Sequence, residues 1–453
     1  MKKLAFVLAF TAATLALGST PRDARAEIGT ADQVPAATLL LPYFEVKLDD
    51  TTGVNTTFSI NNATATAVLA HVTLWTDEGV PTFNYDVYLT GYDSQTVNLA
   101  SLFNSGIVPI TADDQADPSD TISNQGLLSQ DINFPPSGGS TVGTCEVAYS
   151  SPELSATELK HIRTAHTGRR SDVLNGCAGG NYGDLVARGY VTVDVVNSCT
   201  SVNGTDPSYF TTLTTQQNVL WGDYTISNEA NNSESASSLV HIEACPTSLP
   251  LSVGSDQAAL CPFASGDYTF YGRLNGFTAT DQREPLATTF GTRFVNGGTF
   301  DGGTDLLVWR DNKLMPTGTY KKHNCSKKPA WFPLSQTDVV SFDETENPVD
   351  LCFLPDNVSP PIGGVQSCFP LVTQRVPLAT GNPLGKPVNV PQSSGWIYLN
   401  LNHTLSVVDP QPGIAQAWVE SVQSANGRFA VGFQAIPFDN ASFTQMNGTI
   451  LIP

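Results

Sequence analysis

The chain has 453 residues, of which 42 are acidic and 22 basic, so its formal net charge at pH 7 is −20. Such a charge repels nucleic acid and anionic lipid at long range, which argues against a nucleic-acid-binding protein. Hydrophobic residues make up 40% of the chain and charged residues 14%. This balance excludes an intrinsically disordered polypeptide and predicts a globular protein of two or three domains.

The first segment, residues 1–26, has the pattern of a secretory signal peptide. Two lysines precede an apolar run over residues 4–17, and Ala24-Arg25-Ala26 has the small-x-small pattern of a cleavage site. The apolar run is too short to span a bilayer, and no second run of about 18 apolar residues follows it. We therefore expect a mature chain that begins near Glu27, has no membrane span, and lies in the periplasm or outside the cell.

Residues 27–112 alternate apolar and polar side chains between turns, which predicts an N-terminal antiparallel β-sandwich. Phe83, Tyr85 and Val87, for example, share one face of a strand that follows a turn at residues 78–81. Across residues 36–103 the pattern resembles the immunoglobulin-like sandwich modules of exported bacterial β-rich proteins that carry no assigned activity. It lacks the cysteine and tryptophan core of true immunoglobulin domains, so the resemblance implies a fold and no function.

The middle of the chain is predicted to be β-rich, with one helix. Residues 113–143, acidic and rich in Gly and Pro, are expected to be a linker. The β-rich region covers residues 144–376, and its helix is expected near 152–167, where Ser151 caps the first turn. The strands expected after the helix are Tyr190–Val196, Val219–Ile226, Leu239–Glu243 and Tyr268–Leu274.

A second linker is expected at 377–394, and the tail, residues 395–453, alternates again around an Asn426-Gly427 turn. We expect this tail to form hairpins that complete the N-terminal sandwich, because chain termini often lie close together. The predicted fold class is therefore all-β. It comprises an immunoglobulin-like antiparallel sandwich and a larger disulfide-stapled central region with one short helix.

All eight cysteines lie in the central region. In an oxidising compartment their even number favours up to four structural disulfides, and the spacing excludes C-x-x-C metal or redox motifs. The 105 ways of pairing eight cysteines stay open. The disulfide candidates are Cys145, Cys177, Cys199, Cys245, Cys261, Cys325, Cys352 and Cys368.

The sequence contains no G-x-S-x-G elbow, H-E-x-x-H helix, P-loop or G-x-G-x-x-G motif. Because it has only six histidines, a histidine-based catalytic site is also disfavoured. We therefore expect a non-enzymatic protein. The alternative is a glycosidase, which needs only two carboxylates across a cleft, and Glu243, Glu284 and Glu420 are the candidates.

Two groups of side chains have metal-ligating chemistry. His241 and Glu243 point to the same side of a predicted strand, but two residues do not define a coordination shell, and a polar face beside a disulfide is the favoured interpretation. His71 is expected to be a surface or second-layer residue. Clustered aspartates offer the oxygen donors that Ca²⁺ prefers, against the alternative of a solvated acidic loop. They are Asp113, Asp114, Asp117 and Asp120. We expect no cofactor, with Ca²⁺ as the alternative.

Trp331 follows a lysine-rich stretch around Cys325, and this pairing is the candidate ligand site for a polysaccharide or protein at the cell surface. Solvated lysines and a packed tryptophan are the alternative. The lysines are Lys321, Lys322, Lys327 and Lys328. These observations predict three alternative functions. The leading one is a secreted or surface-associated non-enzymatic protein for recognition or assembly, including self-association. The others are a carbohydrate-binding or carbohydrate-cleaving protein and a calcium-stabilised extracellular module.

Overall fold

Four antiparallel sheets dominate the structure, a computed structural model of the chain. It describes residues 34–108, 153–198, 200–206, 208–244, 269–272, 274, 283–298, 301–311, 322–325, 334, 338–351, 369, 371–379, 390–401, 415–425 and 429–438. We number the strands β1–β19 along the chain.

The first sheet consists of β1 (Thr38–Lys47), β3 (Val68–Thr76), β4 (Pro81–Leu89), β6 (Val186–Val196) and β10 (Val240–Ile242). These strands lie side by side in the order β10-β1-β6-β3-β4. The second sheet consists of β2 (Val54–Asn62), β5 (Ser94–Asn98), β8 (Asp223–Asn228) and β9 (Ser233–Ser238). Their order is β5-β2-β8-β9, and the short strand β7 (Leu220–Trp221) also pairs with β2.

The first two sheets share one hydrophobic core and form the N-terminal sandwich. Alternation along β2 buries Phe58 and Ile60, and these meet buried side chains of the first sheet such as Leu41, Val72 and Val193. The antiparallel β-sandwich predicted for the N-terminal region is confirmed. Strand β3 is buried along its whole length, which means that both of its faces are covered.

Helix α1 (Leu99–Ser105) begins where β5 ends. The Asn98 side chain accepts a hydrogen bond from the backbone N–H of Ala100, and Gly106 ends the helix with a φ of 71°. Residues 27–112 were expected to form only strands and turns. Helix α1 corrects this expectation, because the cap at Asn98 ends the strand and starts a helix.

Helix α2 (Ala156–His166) falls within the helix predicted near 152–167. Its cap is Ser155, not Ser151: the Ser155 hydroxyl accepts from the N–H of Glu158, and the Glu158 carboxylate accepts from the N–H of Ser155. A π-helical turn at Tyr209–Leu213 and a 3₁₀ turn at Glu229–Asn231 complete the described helices. None of these helices is long and apolar enough to cross a membrane.

The third sheet consists of β11 (Thr289–Val295), β13 (Val339–Phe342), β14 (Pro348–Asp350), β16 (Ser394–Asn400) and β19 (Ile436–Pro437), in the order β14-β13-β16-β11-β19. The fourth consists of β12 (Gly303–Arg310), β15 (Thr373–Pro377), β17 (Ala417–Ala425) and β18 (Phe429–Gln434), in the order β15-β12-β17-β18. A second core joins them into the C-terminal sandwich, with Phe290 and Leu399 on one side and Val308 and Val419 on the other.

The division of the chain between the two sandwiches differs from the expected one. The N-terminal sandwich takes its strands from residues 38–98 and 186–242, and the C-terminal sandwich from 289–437. The tail therefore pairs with β11 and β12, although Val422 and Ala430 contact the N-terminal core. Strands β6–β10 complete the N-terminal sandwich instead. Within the strand predicted at 268–274, the described residues do not form a strand: residues 270–272 and 274 lie in turns.

A layer of aromatic side chains joins the two sandwiches. Trp75 and Tyr190 of the first sheet stack with their ring planes 2° apart, and Trp309 of the fourth sheet meets Tyr190 edge to face at 5.9 Å. Phe270 stacks on Trp309 with the two ring centroids 5.5 Å apart. Burying aromatic surface of this size is a strong stabilising contribution, so the two sandwiches form one packed unit.

An ion network crosses the same junction. Glu45 of β1 accepts from Arg188 of β6 and from Arg375 of β15, each at 3.2 Å, and Arg375 also contacts Asp305 at 2.6 Å. Burial opposes ionisation of Glu45, but the guanidinium groups of Arg375 and Arg188 outweigh it and hold its pKa below the usual value.

The disulfide Cys177–Cys325 is a covalent link between distant parts of the chain, since its cysteines are 148 residues apart in sequence. Beside it, the backbones of Cys177 and His323 exchange two hydrogen bonds, and His323 contacts Glu78 at 2.7 Å. One of the predicted disulfides is therefore formed. The other six cysteines lie outside the described residues.

Candidate functional site

A row of aromatic side chains covers the solvent-facing side of the third sheet. We call this surface the aromatic face and define it by Phe342, Trp396, Tyr398, Ile436 and Phe438. Ile436 is 68% exposed and Phe438 56% exposed, and the other three side chains are partly exposed. Contiguous exposed apolar surface of this kind marks interaction sites in soluble proteins.

Strand register places these residues on one side of the sheet. Trp396 lies directly opposite Phe342 on β13 and Arg293 on β11. In the next row on the same face, Tyr398 lies opposite Val340 and Gly291, and Ile436 lies opposite Gly291. Residues directly opposite on antiparallel strands share a face, so the aromatic face is a continuous surface across four strands.

The sequence of β16, Ser394–Asn400, produces this arrangement by simple alternation. Ile397 and Leu399 point into the C-terminal core, and therefore Trp396 and Tyr398 point away from it. Gly291 on β11 makes room for Phe438, because a Cβ at that position would lie 2.3 Å from the Phe438 ring. A large ring can therefore lie over β11 beside Tyr398.

The aromatic rings stack in two pairs. Phe342 and Trp396 have centroids 4.4 Å apart and ring planes 11° apart. Tyr398 and Phe438 have centroids 6.0 Å apart and ring planes 18° apart. Each ring of the closer pair covers one face of its partner. The arrangement holds the rings rigidly, and a rigid aromatic side chain loses little conformational entropy when a partner packs against it.

Carboxylates border the aromatic face on the side of the β13–β14 hairpin. Asp350 lies opposite Val340 and shares its face, and Glu344 forms an exposed ion pair with Arg293 at 2.6 Å. In the hairpin loop, Asp343 accepts hydrogen bonds from the side chain and backbone of Asn347 and from Thr345. These bonds, led by that from the Asn347 side chain, hold the pKa of Asp343 well below its usual value. An apolar centre with a polar rim is the typical organisation of a protein interface.

A small cavity lies between the two sandwiches. It measures about 20 Å³, which is room for about one water molecule, and pockets for small ligands are usually hundreds of Å³. Its aromatic lining belongs to the junction described above and is almost fully buried. We therefore interpret it as a packing defect of the junction. Its lining residues are Trp75, Tyr190, Thr192, Phe270, Tyr271, Leu274, Trp309 and Asp311.

A buried polar network lies beside this junction. Asp194 of β6 accepts hydrogen bonds from the hydroxyls of Tyr209 at 2.7 Å and Tyr271 at 2.8 Å, and it contacts Arg283 at 3.4 Å. All four side chains are buried. The network satisfies its central carboxylate internally, and it has no open side for a substrate, so its role is to hold the turns at 209–213 and 269–272 against the first sheet.

The histidine candidates are structural. His71 was expected near the surface, but it is fully buried: its Nδ1 contacts Asp86 at 2.7 Å and its ring packs on Tyr209 at 5.6 Å. The reason is that turns cover the outer face of the first sheet. His241 accepts the backbone N–H of Gly222 at 3.3 Å, and burial lowers its pKa, so it is a neutral interior residue. No group of three or more His, Cys, Asp or Glu side chains suited to a metal occurs among the described residues.

Two of the three carboxylates proposed for a glycosidase are buried, and the third, Glu243, is half-buried. Glu420 is 1% exposed and Glu284 is 2% exposed. Glu420 accepts hydrogen bonds from the indole N–H of Trp418 at 2.9 Å and from the Tyr224 hydroxyl. Burial raises the pKa of Glu420, and these hydrogen bonds only partly oppose that effect.

Several candidate residues fall outside the described part of the chain. These are Trp331, Lys321, Lys327, Lys328, Asp113, Asp114, Asp117 and Asp120. Lys322 is described: it is exposed and begins the short segment 322–325 that carries the disulfide. The proposed lysine and tryptophan site and the proposed calcium loop therefore stay predictions.

The aromatic face was not singled out in the sequence, although part of its signal was present. The alternation that buries Ile397 and Leu399 also assigns Trp396 and Tyr398 to the opposite, solvent-facing side, where large aromatics are unusual. The contributions of Phe342, Ile436 and Phe438 depend on strand pairing, which local alternation does not specify.

No protein-family model matches the chain, and neither a curated protein nor a solved structure matches it. The resemblance to immunoglobulin-like modules of exported proteins therefore stays an expectation, and the function has to be argued from the geometry of the chain itself.

Proposed function

We propose that this chain is a non-enzymatic recognition protein that binds a protein partner through the aromatic face. The observation that carries the proposal is the stacking of Phe342 with Trp396 and of Tyr398 with Phe438 on the solvent-facing side of one sheet. Trp, Tyr and Arg are the residues most enriched among the side chains that dominate protein interfaces, and Trp396, Tyr398 and Arg293 lie on neighbouring positions of this face.

The geometry favours a protein over a polysaccharide as the ligand. A sugar ring stacks on an open aromatic face, whereas Phe342 and Trp396 each cover one face of the other. A sheet surface with an apolar centre and a charged border instead matches the organisation of protein interfaces. Enzymatic hydrolysis is disfavoured as well, because Glu284 and Glu420, two of the three candidate carboxylates, are buried.

We also propose that the protein works outside the cytosol, in the periplasm or at the cell surface. Two observations support this: the secretory pattern of residues 1–26 and the disulfide Cys177–Cys325. Fractionation of native cells, combined with N-terminal sequencing of the recovered protein, tests the localisation. Recovery of the chain from the cytosol with both cysteines reduced would contradict it.

Site-specific photo-crosslinking tests the recognition surface. A photoreactive phenylalanine analogue replaces Trp396 in one variant and Tyr398 in another, and the protein is irradiated in its native compartment. The matched control carries the analogue at Trp221, which is 45% exposed on the N-terminal sandwich. We expect one protein adduct of defined mass from positions 396 and 398 and none from position 221.

A second variant makes the crosslinking result specific. With the analogue at position 396, Phe438→Ser should abolish the adduct, because it removes the neighbouring stacked pair without touching the crosslinker. Adducts of equal yield and identity at positions 396 and 221 would show random encounter and would contradict the proposal. Absence of any adduct at 396 and 398 in the native compartment would do the same.

A further inference from the structure

We infer that the partner of the aromatic face presents basic side chains next to its apolar ones. This inference rests on the proposed function, and it adds the chemistry of the partner. The described residues of the β13–β14 hairpin carry four carboxylates beside the face, and the described guanidinium group on the face is that of Arg293. The carboxylates, which we call the rim, belong to Asp343, Glu344, Glu346 and Asp350.

Within the described part of the chain, Arg293 alone does not balance these charges. It is already paired with Glu344 at 2.6 Å, so the other three carboxylates give the described rim a negative charge. Asp343 keeps its charge even in mildly acidic medium, because hydrogen bonds from Asn347 and Thr345 hold its pKa below the usual value. Glu344, Glu346 and Asp350 are exposed and can reach a bound partner.

A second copy of the chain fits this rim poorly. In a two-fold dimer the same patch meets itself, so the acidic hairpins of the two copies would approach one another. Like charges facing each other across an interface are unfavourable, and the net charge of −20 adds a long-range repulsion. Arginine and lysine on a partner would instead speed association by electrostatic attraction. They would also form ion pairs with the rim carboxylates, and arginine could do so through two hydrogen bonds at once.

The test uses three short synthetic peptides that share the same apolar residues and carry Arg, Gln or Glu at the remaining positions. Binding to the full chain is measured by fluorescence anisotropy at low and high salt. We expect the Arg peptide to bind most tightly and to weaken with salt, because exposed charges are screened. The Glu peptide should show no measurable binding.

Two double variants with the same change in net charge separate the rim from the overall charge. E346Q/D350N removes two rim charges, and D206N/E229Q removes two exposed charges from the N-terminal sandwich. In D206N the amide oxygen can still accept the hydrogen bonds from Ser208. The rim variant should bind the Arg peptide with an affinity roughly threefold to tenfold lower than that of the wild type. The control variant should lose less than about twofold. Melting curves verify that all variants fold.

The outcomes separate this inference from the proposed function. Equal losses in the two double variants, equal binding of the Glu and Arg peptides, or no binding of the Arg peptide to the wild-type chain would overturn the inference. If W396S/Y398S lowers the affinity for the Gln and Arg peptides equally while E346Q/D350N changes neither affinity, the aromatic face binds apolar partners. The inferred requirement for basic residues is then wrong. If W396S/Y398S has no effect on any peptide that binds, the proposed function fails as well.

Discussion

Trp396 lies opposite Phe342 on neighbouring strands, and the two rings stack with their centroids 4.4 Å apart on the solvent side of the third sheet. The same alternation that places Trp396 outside buries Ile397 in the C-terminal core. The face is therefore built on a strand that the core fixes in register.

The stack should contribute to stability as well as to binding. In a double-mutant cycle of W396A and F342A, we expect a coupling free energy of about 0.5 to 1.5 kcal/mol, the usual range for an aromatic pair. Chemical denaturation of the wild type, both single variants and the double variant measures it. Strict additivity of the two single changes would mean that the rings do not interact in solution.

His166 should make the protein sensitive to acid. Its Nδ1 donates to the carbonyl of Arg188 at 2.8 Å, its Nε2 accepts from the Thr82 hydroxyl at 2.7 Å, and burial lowers its pKa to about 3. In the unfolded chain a histidine has a pKa of about 6.5, so acid favours the unfolded state, and the free energy of unfolding should fall by about 2 to 3 kcal/mol between pH 6.5 and 4 through this group.

Comparison with H166Q isolates this contribution. The variant should be less stable than the wild type at pH 6.5, because it loses packing against Phe44 and Phe103, but its stability should depend less on pH. Denaturant unfolding at both pH values gives, for each protein, the change in the free energy of unfolding with pH. Parallel pH profiles for wild type and variant would show that His166 is accessible to protons in the folded protein.

Glu420 should have the opposite pH dependence. Burial raises its pKa, so the folded state retains a proton that the unfolded carboxyl releases, and the stability that this provides is lost as pH rises above the unfolded pKa. E420Q mimics the protonated group and should be more stable than the wild type at pH 7, by roughly 1 kcal/mol. The gain should disappear near pH 4. A variant that is less stable at both pH values would show that Trp418 and Tyr224 require the carboxylate.

Removal of the disulfide should destabilise the chain strongly. Cys177 and Cys325 are 148 residues apart, so their link restricts a long loop of the unfolded chain, and its loss is expected to lower the free energy of unfolding by about 5 kcal/mol in the chain-entropy account. Urea unfolding of C177S/C325S measures the change. Because both cysteines are replaced, the variant has no unpaired thiol at either position. A decrease below about 1 kcal/mol would mean that Glu78, His323 and the paired backbone hold this junction without the covalent bond.

Local pattern predicted the strands and α2, because alternation and capping are properties of a few consecutive residues. It missed one local signal, the cap at Asn98, which starts a helix in a region expected to form only strands and turns. It failed otherwise where distant residues decide: His71 is buried because the turn at 209–213 packs on its sheet. Alternation does not encode which strands pair. It therefore could not predict that the tail pairs with β11 and β12, or that Phe438 packs over Gly291.

The most direct test of the recognition surface is the affinity of the crosslinked partner, once identified and purified, for three forms of the full chain. These are the wild type, W396S/Y398S and the control W221S. We predict that Kd rises at least tenfold for W396S/Y398S, since aromatic residues at the centre of an interface each contribute about 2 kcal/mol or more, and that W221S binds like the wild type. Equal Kd values for all three forms would contradict the assignment of the aromatic face.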